Sequence, residues 1–197
     1  MTQQHVDVLD NELRVRLDAG DLRVRLGTLA DAGALARVAA SMFRDTFGPA
    51  NKPEDLEAYL ASAFTEEKQR AELSEPSSRI WLAHDSEGIA GYAHVRLGAP
   101  LPPQSTITST KAAEIARIYA QQRWQGRGVG AVLMRFCITA AQGWGADVLW
   151  LGVWERNPRA IAFYEKQGFG VVGEQPFHLG ADLQRDLVMA RRLTNER

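Results

Sequence analysis

The stretch QQRWQGRGVGA at Gln121–Ala131 has glycines at 126, 128 and 130. The preceding EIARIYA resembles a strand and the following VLMRFCITAAQ resembles a helix. Glycine lets the backbone approach a ligand closely and adopts positive φ without steric cost. The unpaired N–H groups and the dipole of a helix start favour an anion. The sequence therefore predicts a strand-to-helix turn in which QGRGVG holds a diphosphate, with a turn that binds no ligand as the alternative.

Two other glycine-rich motifs fit this turn poorly. A phosphate loop of the ATP type needs Lys and then Ser or Thr after its last glycine, but Ala131 and Val132 follow here. The dinucleotide fingerprint needs two residues between its second and third glycines, whereas Val129 alone separates Gly128 from Gly130. The first motif is therefore excluded and the second is weakly supported.

Predicted strands and helices alternate along the rest of the chain. LRVRL occurs at 13–17 and 22–26 around the turn sequence DAGD, which predicts a hairpin whose arginines form a solvated face, with phosphate binding as the alternative. The other predicted elements are helices from Asp31, from Pro53 and over 66–73, strands at 79–85 and 89–97, a loop at 98–110, strand 112–120, helix 128–142, strand 148–154, helix 158–167, and strands FGVVGE and DLVMARRL separated by a loop. The alternation predicts an α/β sheet with crossover helices.

Length and composition fit one globular domain. The chain has 197 residues, 45% of them hydrophobic and 24% charged, which suffices for a core without disulfides or metal. Residues 1–11 are polar and unpatterned, so we expect a flexible tail followed by a single domain over 12–197. The four histidines, at 5, 84, 94 and 178, have no ligand spacing with each other or with Cys137, so no metal is expected.

Charge and cysteine content limit the partners and the compartment. The net charge of −1 gives no general field for nucleic acid or for an anionic membrane. The N-terminus lacks a signal-peptide pattern and no segment approaches the roughly 20 apolar residues of a membrane span. Cys137 is the only cysteine, and we interpret it as a buried small hydrophobe, with a reactive thiol as the alternative. These features predict a cytoplasmic protein.

Two segments resemble a known family. Ile115–Ala131, with QGRGVG at its centre, resembles the acetyl-CoA motif of the GNAT superfamily of N-acetyltransferases, in which Q/R-x-x-G-x-G/A follows the fourth strand. VLWLGVWERNPRAIAFYEKQGF at 148–169 is similar to that family's strand, Asn-led helix with a Tyr, and terminal Gly-Phe. The resemblance implies an α/β fold with a mixed, strongly twisted central sheet, splayed middle strands and helices on both faces. It also implies that acetyl-CoA places its pantetheine arm between the splayed strands.

Residues 23–192 are also similar to bacterial spermidine/spermine N-acetyltransferases, in blocks such as FRDTFG, NKPEDLEAYL and FHLGADLQRDLVMARRL. This resemblance implies acetyl transfer from acetyl-CoA to a primary amine of a small acceptor, a polyamine such as spermidine or spermine. A protein N-terminus, an aminoglycoside and a non-catalytic CoA-binding regulatory module are the alternatives. We expect a small-molecule amine as partner, neither nucleic acid nor membrane, and leave a homodimer open. The doubled LRVRL is not expected from the family pattern.

The resemblance assigns coenzyme binding to three groups of residues. Backbone groups of Ile118, Tyr119 and Ala120 are expected to pair with the pantetheine arm. The amides across the glycine turn are expected to hold the diphosphate, from Gln125, Gly126, Arg127, Gly128, Val129, Gly130 and Ala131. Arg123 and Arg127 are candidates for charge-assisted contacts, with solvated loop charges as the alternative. Asn157 is expected to cap its helix and to contact the coenzyme.

Tyr164 is the candidate acid for the leaving thiolate. It follows Asn157 by seven residues, nearly two helical turns, so both side chains lie on one face. A phenol has a pKa of about 10 and a thiol of about 8.5, so the phenol keeps its proton at neutral pH and can share it with a forming thiolate. From the residues alone a packed core aromatic is the alternative, and the motif match favours the acid.

A carboxylate is expected to deprotonate the acceptor, because a primary ammonium has a pKa of about 10.4. Glu114 is the candidate base, since it shares a strand face with Ala116 and Ile118, with a surface ion pair as the alternative. His94 is a second candidate. The acidic residues of the first helices, which would suit a polycation, are Asp45, Glu54, Asp55 and Glu57.

Overall fold

The computed structural model describes residues 6–9, 12–17 and 20–194. These residues form a mixed sheet of nine strands and five α-helices. The strands are β1 (Val6–Leu9), β2 (Glu12–Leu17), β3 (Gly20–Leu26), β4 (Ser78–Asp85), β5 (Gly88–Leu97), β6 (Ala112–Ala120), β7 (Val148–Trp154), β8 (Gly170–Leu179) and β9 (Asp182–Arg192). The helices are α1 (Ala32–Phe47), α2 (Pro53–Ala63), α3 (Glu66–Ser74), α4 (Val129–Gly143) and α5 (Pro158–Lys166).

The strand order is β1-β2-β3-β4-β5-β6-β7-β9-β8. Strands β1 to β6 form an antiparallel meander, whereas β6 pairs in parallel with β7. A parallel pair needs a crossover, and α4 supplies it. The parallel pairing covers only Ala112–Glu114 with Val148–Trp150, although both strands continue beyond it. The mixed α/β fold with splayed middle strands, predicted above, is confirmed.

Helices cover both faces of the sheet. On one face α4 buries Leu133 and Cys137 in a cluster that includes Ala93 of β5. On the other face α1 and α2 bury Leu35 and Leu56 in a cluster that includes Tyr92, the neighbour of Ala93. Successive strand residues point to opposite faces, so β5 serves both clusters. Burial raises the pKa of the Cys137 thiol to about 12, which supports its interpretation as a buried hydrophobe.

The predicted hairpin of the two LRVRL repeats is confirmed as β2 and β3, which pair from Glu12↔Arg25 to Leu17↔Gly20. Its apolar positions Val15, Leu22 and Val24 are buried in the α4 cluster. Arg14, Arg16 and Arg23 are exposed and form the predicted solvated face, whereas Arg25 is half-buried and binds Asp31 with 2.7 Å between Nη2 and Oδ1. The hairpin also reaches the glycine turn, because a Cβ on Gly128 would lie 3.3 Å from Cδ2 of Leu17.

Two segments differ from the sequence prediction. Val6–Leu9 form β1 and pair with β2, so the tail prediction does not hold for these residues; residues 1–5, 10 and 11 lie outside the described part. The loop predicted between the last two strands is also corrected. Both strands extend into a long hairpin that turns at Gly180, whose φ is 60°. From Glu174 to Leu179 exposed residues alternate with half-buried or buried ones, but Phe177 and Leu179 are the apolar residues on the covered face, so the alternation in sequence was weak. Among the described helices, none is long and apolar enough to cross a membrane.

Asp147 ties the start of β7 to the start of β6. Its carboxylate accepts hydrogen bonds from Oγ of Ser109, from N (2.8 Å) and Oγ1 (2.7 Å) of Thr110, and from N of Lys111 (3.2 Å). Burial alone would raise the pKa of Asp147, but these hydrogen bonds outweigh it and lower the pKa. The contacts fix the two strands at the end where they pair.

We predict that Asp147→Ala lowers the free energy of unfolding by about 1–2 kcal/mol at pH 7, allowing for solvent screening of a partly exposed carboxylate. Because the folded-state pKa lies below the unfolded value, this contribution is present above about pH 4 and is lost as pH falls through the folded pKa. Urea unfolding at pH 7 and pH 3 measures both values. If Asp147→Ala lowers the free energy of unfolding by the same amount at pH 7 and at pH 3, the role of the ionised carboxylate is contradicted.

Candidate active site

A cavity of about 1010 Å³ opens where β6 and β7 diverge. It is lined by Ile115–Ala120 of β6 and Gly152–Trp154 of β7. Tyr164, from the cluster on the α4 face, and Phe43, from the cluster on the α1 face, also line it. The cavity therefore reaches both faces of the sheet through the gap between the splayed strands.

One edge of β6 faces this gap. On its other edge, β6 pairs with β5 through Ala93↔Ile118, Tyr92↔Tyr119 and Gly91↔Ala120. Among the described residues, the pairing with β7 ends at Glu114. An extended ligand in the gap therefore meets unpaired strand edge, apart from the Ala120 carbonyl, which accepts a hydrogen bond from Nε2 of Gln125 at 3.1 Å.

The glycine turn presents the first amides of α4 to the same cavity. Gly126 and Gly128 have φ values of 76° and 94°, which L side chains rarely adopt. The N–H of Val132 donates to the carbonyl of Gly128 at 3.0 Å. The amides of Val129, Gly130 and Ala131 precede this bond at the helix start, so they have no acceptor within α4. Three donors and the positive end of the helix dipole therefore meet at the turn.

Gly130 has a packing role as well. A Cβ at this position would lie 3.3 Å from Cζ of Phe163 on α5, so glycine here allows α5 to pack close to the start of α4. Val129, by contrast, is fully buried in the core and contributes its backbone only.

Most of the predicted coenzyme residues are brought together. Those that line the cavity are Ile118, Tyr119, Ala120, Gln125, Gly126, Gly128, Gly130, Ala131 and Asn157. Oδ1 of Asn157 accepts a hydrogen bond from N of Ala160 at 3.1 Å, so it caps α5 while it faces the cavity.

The predicted arginines lie elsewhere. Arg123 binds Asp85, with 2.9 Å between Nη2 and Oδ2, and also binds Glu87, which favours a structural ion pair. Arg127 is exposed and lies outside the cavity lining, and its amide donates to the carbonyl of Trp124 at 3.3 Å. Sequence reasoning missed Arg159, a lining residue that donates to Oε1 of Gln125 at 2.6 Å. It is the second residue of α5 and contacts Gln125 of the glycine turn, which the sequence of the turn alone does not indicate.

Tyr164 lies at the cavity wall with 9% of its surface exposed. Its ring packs against Phe163 and Phe169, with centroids 5.3 and 6.1 Å away. Burial, with a smaller contribution from Cys137, raises the pKa of the phenol well above its ordinary value. The hydroxyl is therefore neutral at pH 7 and can donate a proton into the cavity.

Glu114 is outside the cavity lining, and the prediction that it shares a face with Ala116 and Ile118 is wrong. The register shift between His94↔Arg117 and Val95↔Ile115 leaves Ala116 as a bulge, so Glu114 and Ile118 point to opposite faces of the sheet. Glu114 lies in the last residue pair of the parallel ladder, and its Oε2 accepts a hydrogen bond from Nε of Arg96 at 2.7 Å. The ion pair that sequence analysis left open is what the structure contains, and the proposed role as base finds no support in its position. His94 is also buried, with its Nε2 2.7 Å from Oγ of Ser78. Burial, and then the charge of Arg117, lower its pKa to about 4.

The half of the cavity on the α1 face is aromatic. Its rings, which sequence analysis did not single out, belong to Phe43, Phe47, Tyr59, Phe64, Trp154 and Phe177. Phe43 and Tyr59 stack with centroids 4.8 Å apart, and Tyr59 meets Phe177 edge-on at 5.4 Å. Two of them, Phe43 and Phe47, have the i, i+4 spacing of one helix face on α1, which is a local sequence signal.

Carboxylates also line this half. Asp45 does so from α1 and Asp186 from β9. Of the other predicted acidic residues, Glu57 binds Arg44 at 2.9 Å and Asp55 accepts a hydrogen bond from N of Ala181 at 2.8 Å. These two therefore have structural partners.

Comparison with known proteins agrees with this geometry. Residues 40–169 match the acetyltransferase (GNAT) family. An uncharacterized N-acetyltransferase from the pepI 3' region of Lactobacillus delbrueckii subsp. lactis is 33% identical over 156 residues, which cover 79% of this chain and 88% of that protein. The streptothricin acetyltransferase of Streptomyces lavendulae is 35% identical over 104 residues, 52% of this chain and 50% of that protein.

Among solved structures, the PaiA N-acetyltransferase of Thermoplasma acidophilum in complex with coenzyme A superposes with a TM-score of 0.68 at 18% identity, covering 87% of this chain and 98% of that chain. This likeness concerns the fold. The family match spans more than half of the chain and includes both the glycine turn and Tyr164. The chain belongs to the acetyltransferase (GNAT) family and is an N-acetyltransferase that uses acetyl-CoA.

Proposed function

We propose that the protein acetylates a primary amine of a small cationic acceptor, with a polyamine such as spermidine as the first candidate. The observation that carries the proposal is the single cavity that joins two chemically different halves at the gap between β6 and β7. One half offers amides to a polyanion, and the other offers aromatic rings and carboxylates to a cation.

The coenzyme half suits acetyl-CoA. The amides at the start of α4 would hold the diphosphate, and the edge of Ile118–Ala120 that faces the gap would pair with the amides of the pantetheine arm. The arm would then run into the gap between the strands and bring the thioester towards Tyr164. Arg159 at the wall adds a positive charge on the diphosphate side.

Tyr164 would protonate the leaving group. When the amine nitrogen attacks the thioester carbonyl, the carbon–sulfur bond breaks and the sulfur takes the electron pair. A neutral phenol at the cavity wall can donate its proton to that sulfur. Its position also argues against a non-catalytic CoA-binding module, because binding alone makes no use of a proton donor there.

The acceptor half suits an amine with an apolar chain. The faces of Trp and Tyr rings attract ammonium groups by about 0.5–2 kcal/mol each, and methylene chains pack against the same rings. A neighbouring cavity of about 720 Å³ shares Ala50, Trp154, Arg156 and Gln184 with the first. A long acceptor could extend into this cavity, which Asp182 also lines. Polyamines combine charge, methylene spacers and length.

An antibiotic acceptor is the second candidate. It is favoured by the 35% identical stretch shared with the streptothricin acetyltransferase, which covers about half of this chain.

The direct test is release of free thiol from acetyl-CoA with different amines. We expect spermidine or spermine to support turnover with kcat/KM at least about tenfold above streptothricin, aminoglycosides and peptides with free N-termini. Preference for streptothricin would select the second candidate. Tight CoA binding with no turnover on any amine would contradict an enzymatic role.

We predict that Gly128→Glu abolishes acetyl-CoA binding, because it adds a negative charge beside the α4 amides and a side chain at a φ of 94°. Calorimetric titration should show loss of affinity of at least about 10²-fold. Gly128→Ala separates backbone strain from charge, and Gly143→Glu places the same charge at the far end of α4, where a Cβ meets no atom within 4 Å. Unchanged affinity in folded Gly128→Glu would remove the diphosphate from this turn.

We predict that Tyr164→Phe lowers kcat by about 10²-fold while the dissociation constant of acetyl-CoA changes by less than about threefold. Tyr92→Phe is the matched control, since it removes a buried hydroxyl from a residue outside the cavity lining. Steady-state kinetics and calorimetry measure the two quantities. Equal losses in turnover and affinity would indicate a packing role for Tyr164.

A further inference from the structure

We propose that Asp186 on β9 is the general base, which takes the ammonium proton of the acceptor directly or through one water. This inference rests on the proposed acetyl transfer to a primary amine. Nothing in the sequence pattern of DLVMARRL distinguishes this carboxylate from a solvated strand residue.

The sheet register places Asp186 at the gap. Asp186 is opposite Trp154 of β7, and directly opposed antiparallel residues share a face. Its Oδ2 lies 3.2 Å from the position that a Cβ on Gly152 would take. Gly152 comes two residues after Trp150, where the ladder with β6 ends. The carboxylate and Nε2 of Gln175, which lies 2.7 Å from the same position, therefore cover the backbone of β7 just beyond the point at which the strands part.

Asp186 is buried and still faces the cavity. It is 9% exposed and lines the cavity together with Tyr59 of α2 and the aromatic rings. Burial raises the pKa of Asp186 to about 6. At pH 7 such a carboxylate is mostly ionised but accepts a proton more readily than an ordinary aspartate, whose pKa is about 3.9.

The charged and titratable groups around Asp186 leave it available as a base. Those that line the same cavity on the acceptor side are Asp45 of α1, Tyr59 of α2, Arg117 and Tyr119 of β6, and Arg156 after β7. The guanidinium of Arg117 is held by Glu72 through Nη1 at 2.7 Å and Nη2 at 2.5 Å. Arg117 therefore has its own carboxylate partner.

Asp186 and Tyr164 together account for every proton transfer in the reaction. Asp186 takes one proton from the ammonium, and the neutral amine then forms a bond to the thioester carbonyl carbon. The carbon–sulfur bond breaks, and Tyr164 protonates the sulfur. The second proton that leaves nitrogen as the amide forms restores Tyr164. Asp186 finally releases its proton to solvent, so one proton is produced in each turnover.

The test is the pH dependence of kcat/KM for spermidine between pH 5 and pH 9. For the unmodified protein we expect activity to fall below a midpoint near pH 6, because the base must be ionised. Asp186→Asn should lower kcat/KM at pH 8 by about 10²-fold or more and remove that midpoint. Asp186→Glu, which keeps a carboxylate, should restore part of the rate and shift the midpoint.

Glu114→Gln is the matched control, because it also neutralises a buried strand carboxylate but acts on one that is bound to Arg96. We expect it to keep the midpoint and the rate within about threefold. A midpoint lost in Glu114→Gln and kept in Asp186→Asn would overturn the proposal and return the role to Glu114.

Stability supplies a readout that is independent of turnover. A carboxyl group whose pKa is raised by folding destabilises the native state at pH values above its unfolded pKa. Asp186→Asn should therefore raise Tm at pH 7.5, and the gain should disappear near pH 4. If Asp186→Asn does not raise Tm at pH 7.5, the assignment of Asp186 is overturned, whether or not the protein acetylates an amine. Absence of turnover by the unmodified protein on every amine is a different result, and it would contradict the proposed function.

Discussion

The short parallel pairing between β6 and β7 is the constraint on which the site depends. Three residue pairs, from Ala112↔Val148 to Glu114↔Trp150, hold the strands together, and Asp147 fixes the end at which they start. Beyond that ladder each strand keeps its outer partner and loses its inner one. The gap therefore lies in the middle of the sheet, while β6 stays paired with β5 and β7 stays paired with β9.

The other parts of the site are positioned by this opening. Because α4 is the crossover between the two strands, its first amides lie where β6 ends, beside the gap. Helix α5 follows β7 and brings Tyr164 to the same gap. On the opposite face α1 and α2 close the cavity with aromatic rings. A polyanion and a cation can therefore approach one point from opposite sides of one sheet, which suits transfer between an anionic carrier and a cationic amine.

The sequence predicted local features well. The glycine turn, the Asn cap and Tyr164 are each defined by neighbours within a few positions. Helix periodicity then predicted that Asn157 and Tyr164 share one face of α5. The LRVRL hairpin was predicted for the same reason. Glu114 shows where such reasoning ended, because the bulge at Ala116 puts it on the face opposite to Ile118 and strict alternation does not predict a bulge. Its partner Arg96 is 18 residues away on β5, and only the register brings them together.

Asp186, Arg159 and the aromatic wall depend on contacts distant in sequence. Asp186 reaches the gap because β9 inserts between β7 and β8, an order that strand alternation does not specify. Phe43, Tyr59 and Phe177 come from three elements and meet only after the sheet forms. Each of these aromatic residues, taken singly, resembles an ordinary core residue. Together they line the cavity, where they can contact an acceptor.

The most direct test is a crystal structure of the protein grown with acetyl-CoA. The diphosphate oxygens should lie about 3 Å from the backbone nitrogens of the glycine turn and the α4 start, with the pantetheine arm paired to Ile118–Ala120 in the gap. A diphosphate bound elsewhere on the molecule, with the gap between β6 and β7 empty at saturating ligand, would contradict this arrangement.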